Sequence, residues 1–423
     1  MWSSWRLVLT IALLCAGSAA GCATRSVPYR VATEYDVHDP QFVRSMGNLF
    51  GQPLVAGNAA VTLVNGEQIF PAMLAAIESA QQTITFETYM FFPGEITASF
   101  SKAIADRARA GVKVHVLIDF VGGGAFENQH MKAMRAAGAD VRWYHPLHWW
   151  QVWSTMRVNY RTHRKLLVVD GRIGFIGGVG ISDHWKGQAE HPGQWRDNHY
   201  RIEGPIVAQL QGAFVDNWIE VTGQVLHGSE YFPPLEPRGE LAAQVLKSST
   251  NGGDQSVQLM YLMSFAASQR RICLATPYFV PDRVTMEALM AATRRGVKVQ
   301  VIVPADHRTD SPVAHQASRA KWGELIKAGV EIYIYQPTMY HTKLMVVDDL
   351  WVSIGSANLD NRSFRLNDEA NLNVFDPDFA AEQVRIFEAD LRQSRRVTYE
   401  GWARRSLVKK VLDGMSTLLD PLL

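Results

Sequence analysis

Short runs of aliphatic and β-branched residues alternate along this chain with longer stretches in which apolar positions recur every three or four residues. The first kind predicts strands at Thr83–Tyr89, Val112–Ile118, Val141–Tyr144, Lys165–Val169 and Arg172–Ile176. The second predicts helices over Phe70–Ala80, Thr97–Ala110 and Asn128–Ala137. Val- and Ile-rich runs without polar alternation belong to strands covered on both faces, and amphipathic helices supply the cover. The pattern therefore predicts an α/β sandwich around a largely parallel sheet.

The same series then occurs a second time. Ile84–Phe91 matches Ile272–Phe279, Gly111–Ile118 matches Gly296–Val303, and Ala137–Tyr144 matches Ala328–Tyr335. His163–Asp170 with Ile173–Gly178 matches His341–Asp348 with Val352–Ser356. A unit this long is a duplicated domain and not a solenoid repeat. Two tandem α/β/α sandwich domains follow, residues 51–228 and 240–400. The Pro-rich segment 229–239 links them, 22–50 is an amino-terminal extension and 401–423 a carboxy-terminal tail.

Composition narrows the picture. The 423 residues are 47% hydrophobic, which excludes a disordered chain. With 42 Lys and Arg against 41 Asp and Glu, the chain lacks the positive excess of a nucleic-acid binder, so no nucleic-acid partner is expected. Three cysteines cannot build a disulfide scaffold. Residues 1–21 read as a secretory signal: Arg6, an apolar run from Leu7 to Cys15, then small residues. Ser18-Ala19-Ala20-Gly21 runs directly into Cys22, so the segment is either a lipoprotein signal with Cys22 as the lipid anchor or an ordinary signal peptide. The expected location is the bacterial cell envelope, membrane-associated and facing the periplasm. Cys273 lies inside an apolar run and is expected to be an inert core residue.

The duplicated motif carries the chemistry. Each copy contains His-x-Lys-x4-Asp: His163, Lys165, Asp170, and His341, Lys343, Asp348. In an extended strand, residues two apart share a face, so each His and Lys point the same way from the end of a rigid element. Two imidazoles suit phosphodiester transfer, one attacking phosphorus and one protonating the leaving alkoxide. Two lysines supply point charge to the phosphate oxygens. No cofactor or metal is expected. The nearest candidate for a metal cluster, Asp183 and His184 with His191, reads as a solvated loop.

The doubled motif, with Gly355-Ser356-Ala357-Asn358 after the second copy, resembles the phospholipase D superfamily. Thr276–Asp282, Trp195–Asp197, Arg201–Pro205 and Gly355–Phe364 most resemble the bacterial cardiolipin synthases within it. The resemblance implies two phospholipase D-type domains with one active site at their interface. It also implies phosphatidyl transfer through a covalent phosphohistidine, with phospholipid substrates. His163 and His341 would act as nucleophile and general acid, Lys165, Lys343 and Asn358 would hold the phosphate, and Asp170 and Asp348 would support the site. Asp197 and Glu369 would orient the imidazoles. Ser356 and Asn358 have only Gly178 and Gly180 as counterparts, so the half-sites should be unequal. A phospholipase D hydrolysing phospholipids to phosphatidic acid is the alternative, and a nuclease is a third reading.

Two segments bear on the membrane surface as a partner. Trp149, Trp150 and Trp153 precede Arg157, Tyr160, Arg161 and Arg164, a mixture that suits a lipid interface or a loop packed on the protein. The tail places Leu407, Val411, Leu418 and Leu422 at helical spacing beside Arg404, Arg405, Lys409 and Lys410. Oligomeric state is not legible, since the duplication already supplies both half-sites.

Overall fold

The computed structural model describes residues 29–124, 127–147, 159–249 and 255–423. The lipid-anchor candidate Cys22, the signal segment, and Trp149, Trp150, Trp153 and Arg157 lie outside them.

In the first half the strands are β1 (Val55–Val64), β2 (Thr83–Thr88), β3 (Lys113–Asp119), β4 (Asp140–Tyr144), β5 (Leu166–Val169), β6 (Ile173–Gly177) and β7 (Asn198–Glu203). In the second they are β8 (Leu241–Lys247), β9 (Arg271–Ala275), β10 (Lys298–Pro304), β11 (Glu331–Tyr335), β12 (Leu344–Val347), β13 (Trp351–Gly355) and β14 (Ala370–Phe375), with β15 (Ser394–Arg396) added at the edge. All 15 belong to one sheet, ordered β15-β11-β10-β9-β12-β13-β14-β8-β1-β7-β6-β5-β2-β3-β4. Outward from the β8–β1 joint, both halves run through corresponding strands in the same order. The duplication read from sequence is thus a pseudo-twofold, and its axis passes between β1 and β8. Asn58, nearly fully buried at that joint, donates to the carbonyls of Val55 and Leu241 (2.7 and 3.0 Å) and accepts from Ile206 N (2.8 Å).

The expected parallel character holds only in part. β2-β3-β4 and β9-β10-β11 are parallel, because a helix crosses over between successive strands. The other ten of the fourteen neighbouring pairs are antiparallel. The motif strands β5 and β12 cause much of this, since each turns back at once into a hairpin with β6 or β13.

Helices cover both faces. α2 (Asn65–Ser79), α3 (Glu95–Arg109) and α4 (Gln129–Ala136) cover one face of the first half, and α5 (Val207–Thr222) covers the other. In the second half, α6 (Ser256–Ala267), α7 (Arg283–Arg294) and α8 (Pro312–Lys327) lie opposite α9 (Pro377–Arg392). One apolar cluster spans the joint, with Leu166, Val168 and Ile176 from one half beside Cys273, Leu344 and Ile354 from the other. Cys273 is buried there, and burial pushes its thiol up to about 12, as fits an inert core residue. The amino-terminal helix α1 (Pro40–Leu49) packs on the second half, with Phe42 edge-on to Trp351 at 5.1 Å.

Candidate active site

Two short ladders bring the halves together away from the main sheet. Arg161–Thr162, just before His163, pairs in parallel with Asn367–Asp368 of the second half. Met339–Tyr340, just before His341, pairs in parallel with Trp195–Arg196 of the first. Each ladder runs into a backbone hydrogen bond, His163 N to Asp368 O (2.9 Å) and His341 N to Arg196 O (2.8 Å). The next residue on each partner strand is a carboxylate. Glu369 Oε1 and Oε2 both lie 3.0 Å from His163 Nδ1, and Asp197 Oδ2 lies 2.7 Å from His341 Nδ1. Each imidazole is therefore oriented by the opposite half; His163 Nε2 is left for chemistry, while Lys343 Nζ lies 3.1 Å from His341 Nε2.

Glu369 also accepts from the hydroxyls of Ser356 (2.5 Å) and Ser363 (2.7 Å). Asp197 accepts from the Trp185 indole (3.1 Å) and from the Asn198 backbone (2.8 Å). The glycines of the first half follow from this. A Cβ at Gly178 would stand 2.5 Å from Asp197 Oδ2, and one at Gly180 would stand 2.9 Å from the Met90 Cβ. The carboxylate thus occupies the place where a counterpart of Ser356 would begin.

Lys165 Nζ donates to His163 O (2.6 Å) and Lys343 Nζ to His341 O (2.7 Å). Both histidines, Lys165 and Asn358 line one open cavity of about 240 Å³, together with Tyr89, Tyr278 and Asp310. The Asn358 Oδ1 has no hydrogen-bond partner among the described residues. Burial lowers the His163 imidazole to about 4 and the ammonium groups of Lys165 and Lys343 to about 7 and about 8. Burial and then the neighbouring Lys343 push His341 well below its ordinary value. Burial raises Asp197 to about 6. Burial works most strongly against the charge on Glu369, but His163, Lys165 and the Ser356 hydroxyl together outweigh it and keep the pKa below the usual range. Neutral imidazoles and the easily discharged Lys165 line the pocket, with Lys343 behind the His341 ring, a setting for an anion that restores their charge.

A sequence profile described as "Cardiolipin synthase, PLD-like domain" matches residues 73–191 and 261–391, one stretch in each half. The chain belongs to the cardiolipin synthase family of phospholipase D-like proteins. It is 32% identical over 399 residues to cardiolipin synthase 1 of Bacillus anthracis, covering 92% of this chain and 77% of that one. It is 34% identical over 381 residues to cardiolipin synthase A of Pseudomonas putida, covering 90% and 78%. Among solved structures, the phosphatidylserine synthase of Haemophilus influenzae superposes with a TM-score of 0.70 at 16% identity, over 90% of this chain and all of that one, a likeness of fold.

Within this cardiolipin synthase fold, several residues lie elsewhere than the sequence led us to expect. Asp170 and Asp348 are not in the cavity. Each sits five residues beyond its lysine, about 16 Å along an extended strand. Asp170 accepts backbone N–H groups from Gln81, Gln82 and Thr83 at 2.7–2.9 Å, and Asp348 does the same for Gln269, Arg270 and Arg271. Positive φ at both (53° and 52°) turns the carboxylate onto the neighbouring strand's entry, so they staple the sheet. Of the two places open to Ser356, beside the substrate or behind the imidazoles, it takes the second: its hydroxyl is committed to Glu369. Arg161 and Arg164, read beside the tryptophans as interface cations, are buried: Arg161 pairs with Asp119 at 3.2 Å, and Arg164 donates to the carbonyls of Ala213 and Ser248 (both 2.7 Å). Asp183 caps α3 through the N–H groups of Glu95 and Ile96, away from any cluster.

Sequence reasoning missed Ser363 and Trp185, the donors that hold the two carboxylates; in the cavity wall the Asp310 carboxylate accepts from Tyr278 Oη at 2.7 Å. Ser363 lay within the stretch that carried the family resemblance. Nothing in the spacing pointed to Trp185.

Proposed function

We propose that this protein is a membrane-associated phosphatidyltransferase that makes cardiolipin from phosphatidylglycerol and a second phospholipid. The observation that carries the reading is one cavity holding two histidines, each fixed by a carboxylate from the opposite half.

His163 is the nucleophile. It is neutral at pH 7, and the ionised Glu369 on Nδ1 increases electron density at Nε2. Nε2 attacks phosphorus, the bond from phosphorus to the headgroup oxygen breaks, and His341 gives its proton to the departing alkoxide, releasing glycerol. His341 carries that proton only once the phosphodiester anion has offset Lys343, so the proton is taken up with substrate. In the second step a hydroxyl of the acceptor phospholipid passes its proton to His341. Its oxygen bonds to phosphorus as the histidine–phosphorus bond breaks. Lys165, Lys343 and the Asn358 amide bind the phosphate oxygens, Asp197 and Glu369 position the rings, and Asp170 and Asp348 keep the strand ends in place. Both substrates are lipids, so the enzyme works at a membrane surface. The leader and Cys22 support a periplasm-facing position in the envelope. Among the described residues no helix is long and apolar enough to cross a membrane.

Incubating the purified chain with phosphatidylglycerol in mixed micelles tests the reading. Cardiolipin with an equal amount of glycerol is expected. Phosphatidic acid as the sole lipid product would make the enzyme a hydrolase.

A further inference from the structure

A helix on the surface of a globular protein buries its apolar stripe and wets its polar one. The last long helix, α10 (Leu407–Ser416), does the reverse. Asp413 is fully buried and Ser416 nearly so, whereas Leu407, Val408, Val411, Leu412 and Met415 are 43–77% exposed, and Leu418 just beyond reaches 79%. At about 100° per residue, the five on the helix fall within an arc of about 140° that excludes Asp413 and Ser416. The polar side is pinned to the protein. Asp413 accepts from Arg319 (2.6 Å) and Arg405 (2.7 Å), and Ser416 donates to Gln316 (2.9 Å). Rolling the helix to hide its aliphatic face would strip a buried carboxylate of both arginines, so the orientation is fixed.

The same segment reaches the catalytic cavity. After α10 the chain turns back, and Leu423 forms part of the cavity wall. Arg362 donates from its backbone to Leu423 O (2.9 Å) and from its side chain to Leu422 O (3.1 Å), and Asn361 donates to Asp420 O (2.9 Å). Lys410 on the helix and Arg404, three residues before the helix starts, stand exposed. Aliphatic side chains flanked by cations match an anionic bilayer, with acyl chains for the first and phosphates for the second.

We infer that this face of α10 docks on the surface of an anionic phospholipid bilayer and thereby sets the cavity mouth, walled by the end of the same segment, against its lipid substrates. The inference rests on the transferase reading only for the link to turnover.

The test uses the full chain, as wild type and with Leu407→Glu, Val411→Glu and Leu418→Glu together. Phosphatidylglycerol is offered either in vesicles with neutral lipid or as short-chain monomers. Vesicle turnover is expected to fall at least about tenfold, the factor that burial of one aliphatic side chain supplies, with monomer turnover unchanged. Equal vesicle rates in variant and wild type would overturn the inference. If both rates fall together, the single variant Leu418→Glu, at the most exposed position, decides by the same ratio. If the wild type makes no product from either form, the transferase reading fails, and docking is judged by trypsin cleavage after Arg404, Lys409 and Lys410. Phosphatidylglycerol vesicles should protect these bonds in the wild type and not in the triple variant; equal cleavage with and without vesicles would overturn docking.

Discussion

Glu369 and Asp197 precede corresponding strands, β14 and β7, and each faces the histidine of the other half, yet different groups hold them. Glu369 has the longer reach, and space for two serine hydroxyls remains around its carboxylate. Asp197 is shorter, sits against Gly178 where no side chain fits, and takes an indole N–H in place of a hydroxyl. The environments tune the carboxylates apart: Glu369 is kept ionised, and burial lifts Asp197 to about 6. Backbone duplication set the symmetry, and substitution of hydrogen-bond donors divided the labour. In the proposed mechanism this difference makes one histidine the nucleophile and the other the group that gains and loses a proton.

The sharpest way to break this comparison is to remove the imidazoles in turn. His163→Ala and His341→Ala should each lower turnover of phosphatidylglycerol at least about a thousandfold. A phosphatidyl ester with a nitrophenol leaving group needs no general acid, so His341→Ala should still release a burst of nitrophenol from it and His163→Ala should not. Bursts from His163→Ala alone would reverse the assignment. Glu369→Gln and Asp197→Asn come next, with losses of about 10- to 100-fold. Losing an ionised partner slows the chemical step for Glu369→Gln, whereas Asp197→Asn should mainly displace the pH–rate profile. Identical profiles would mean that the halves are equivalent.

Exchanging the small residues tests the packing difference. Gly178→Ser puts a Cβ against the Asp197 carboxylate and should impair kcat more than Ser356→Gly, which removes one of the two serine hydroxyls from Glu369. The opposite order would show that room around Asp197 does not matter. The smallest effect expected concerns pH. Lys165 and Lys343 are depressed to about 7 and about 8, so each is protonated below its value and loses its charge as pH rises through it. The KM for phosphatidylglycerol should therefore climb between pH 7 and 9 while the neutral His163 stays unaffected. A KM that is flat across that range would show that the lysines do not hold the phosphate.

The fold was legible because periodicity and duplication both act locally: buried strands announce themselves as Val and Ile runs, and a repeated series of them needs no alignment to be seen. Strand direction was less legible. Nothing in the composition of Leu166–Val169 distinguishes a hairpin strand from a crossover strand, since both are buried on two faces. The histidines and lysines were found because the motif recurs. The two carboxylates entered through resemblance, and their exchange between halves depends on ladders of two residues each, too short for any periodicity. The distance of Asp170 and Asp348 from the cavity was not legible for a related reason. Membership in a motif shows that a residue is fixed relative to its neighbours, and a strand can fix it at the end remote from the chemistry.

The exchanged ladders also determine what becomes of the enzyme when its chain is cut. A break within 229–239 would leave each piece with an imidazole and a lysine but without the carboxylate that aims that imidazole. Neither fragment alone would hold an aimed imidazole, so the proposed attack on a lipid needs both halves of the chain. Activity returns only when both pieces meet along the β1–β8 edge. The molecule thus behaves as a built-in coincidence detector for its own assembly.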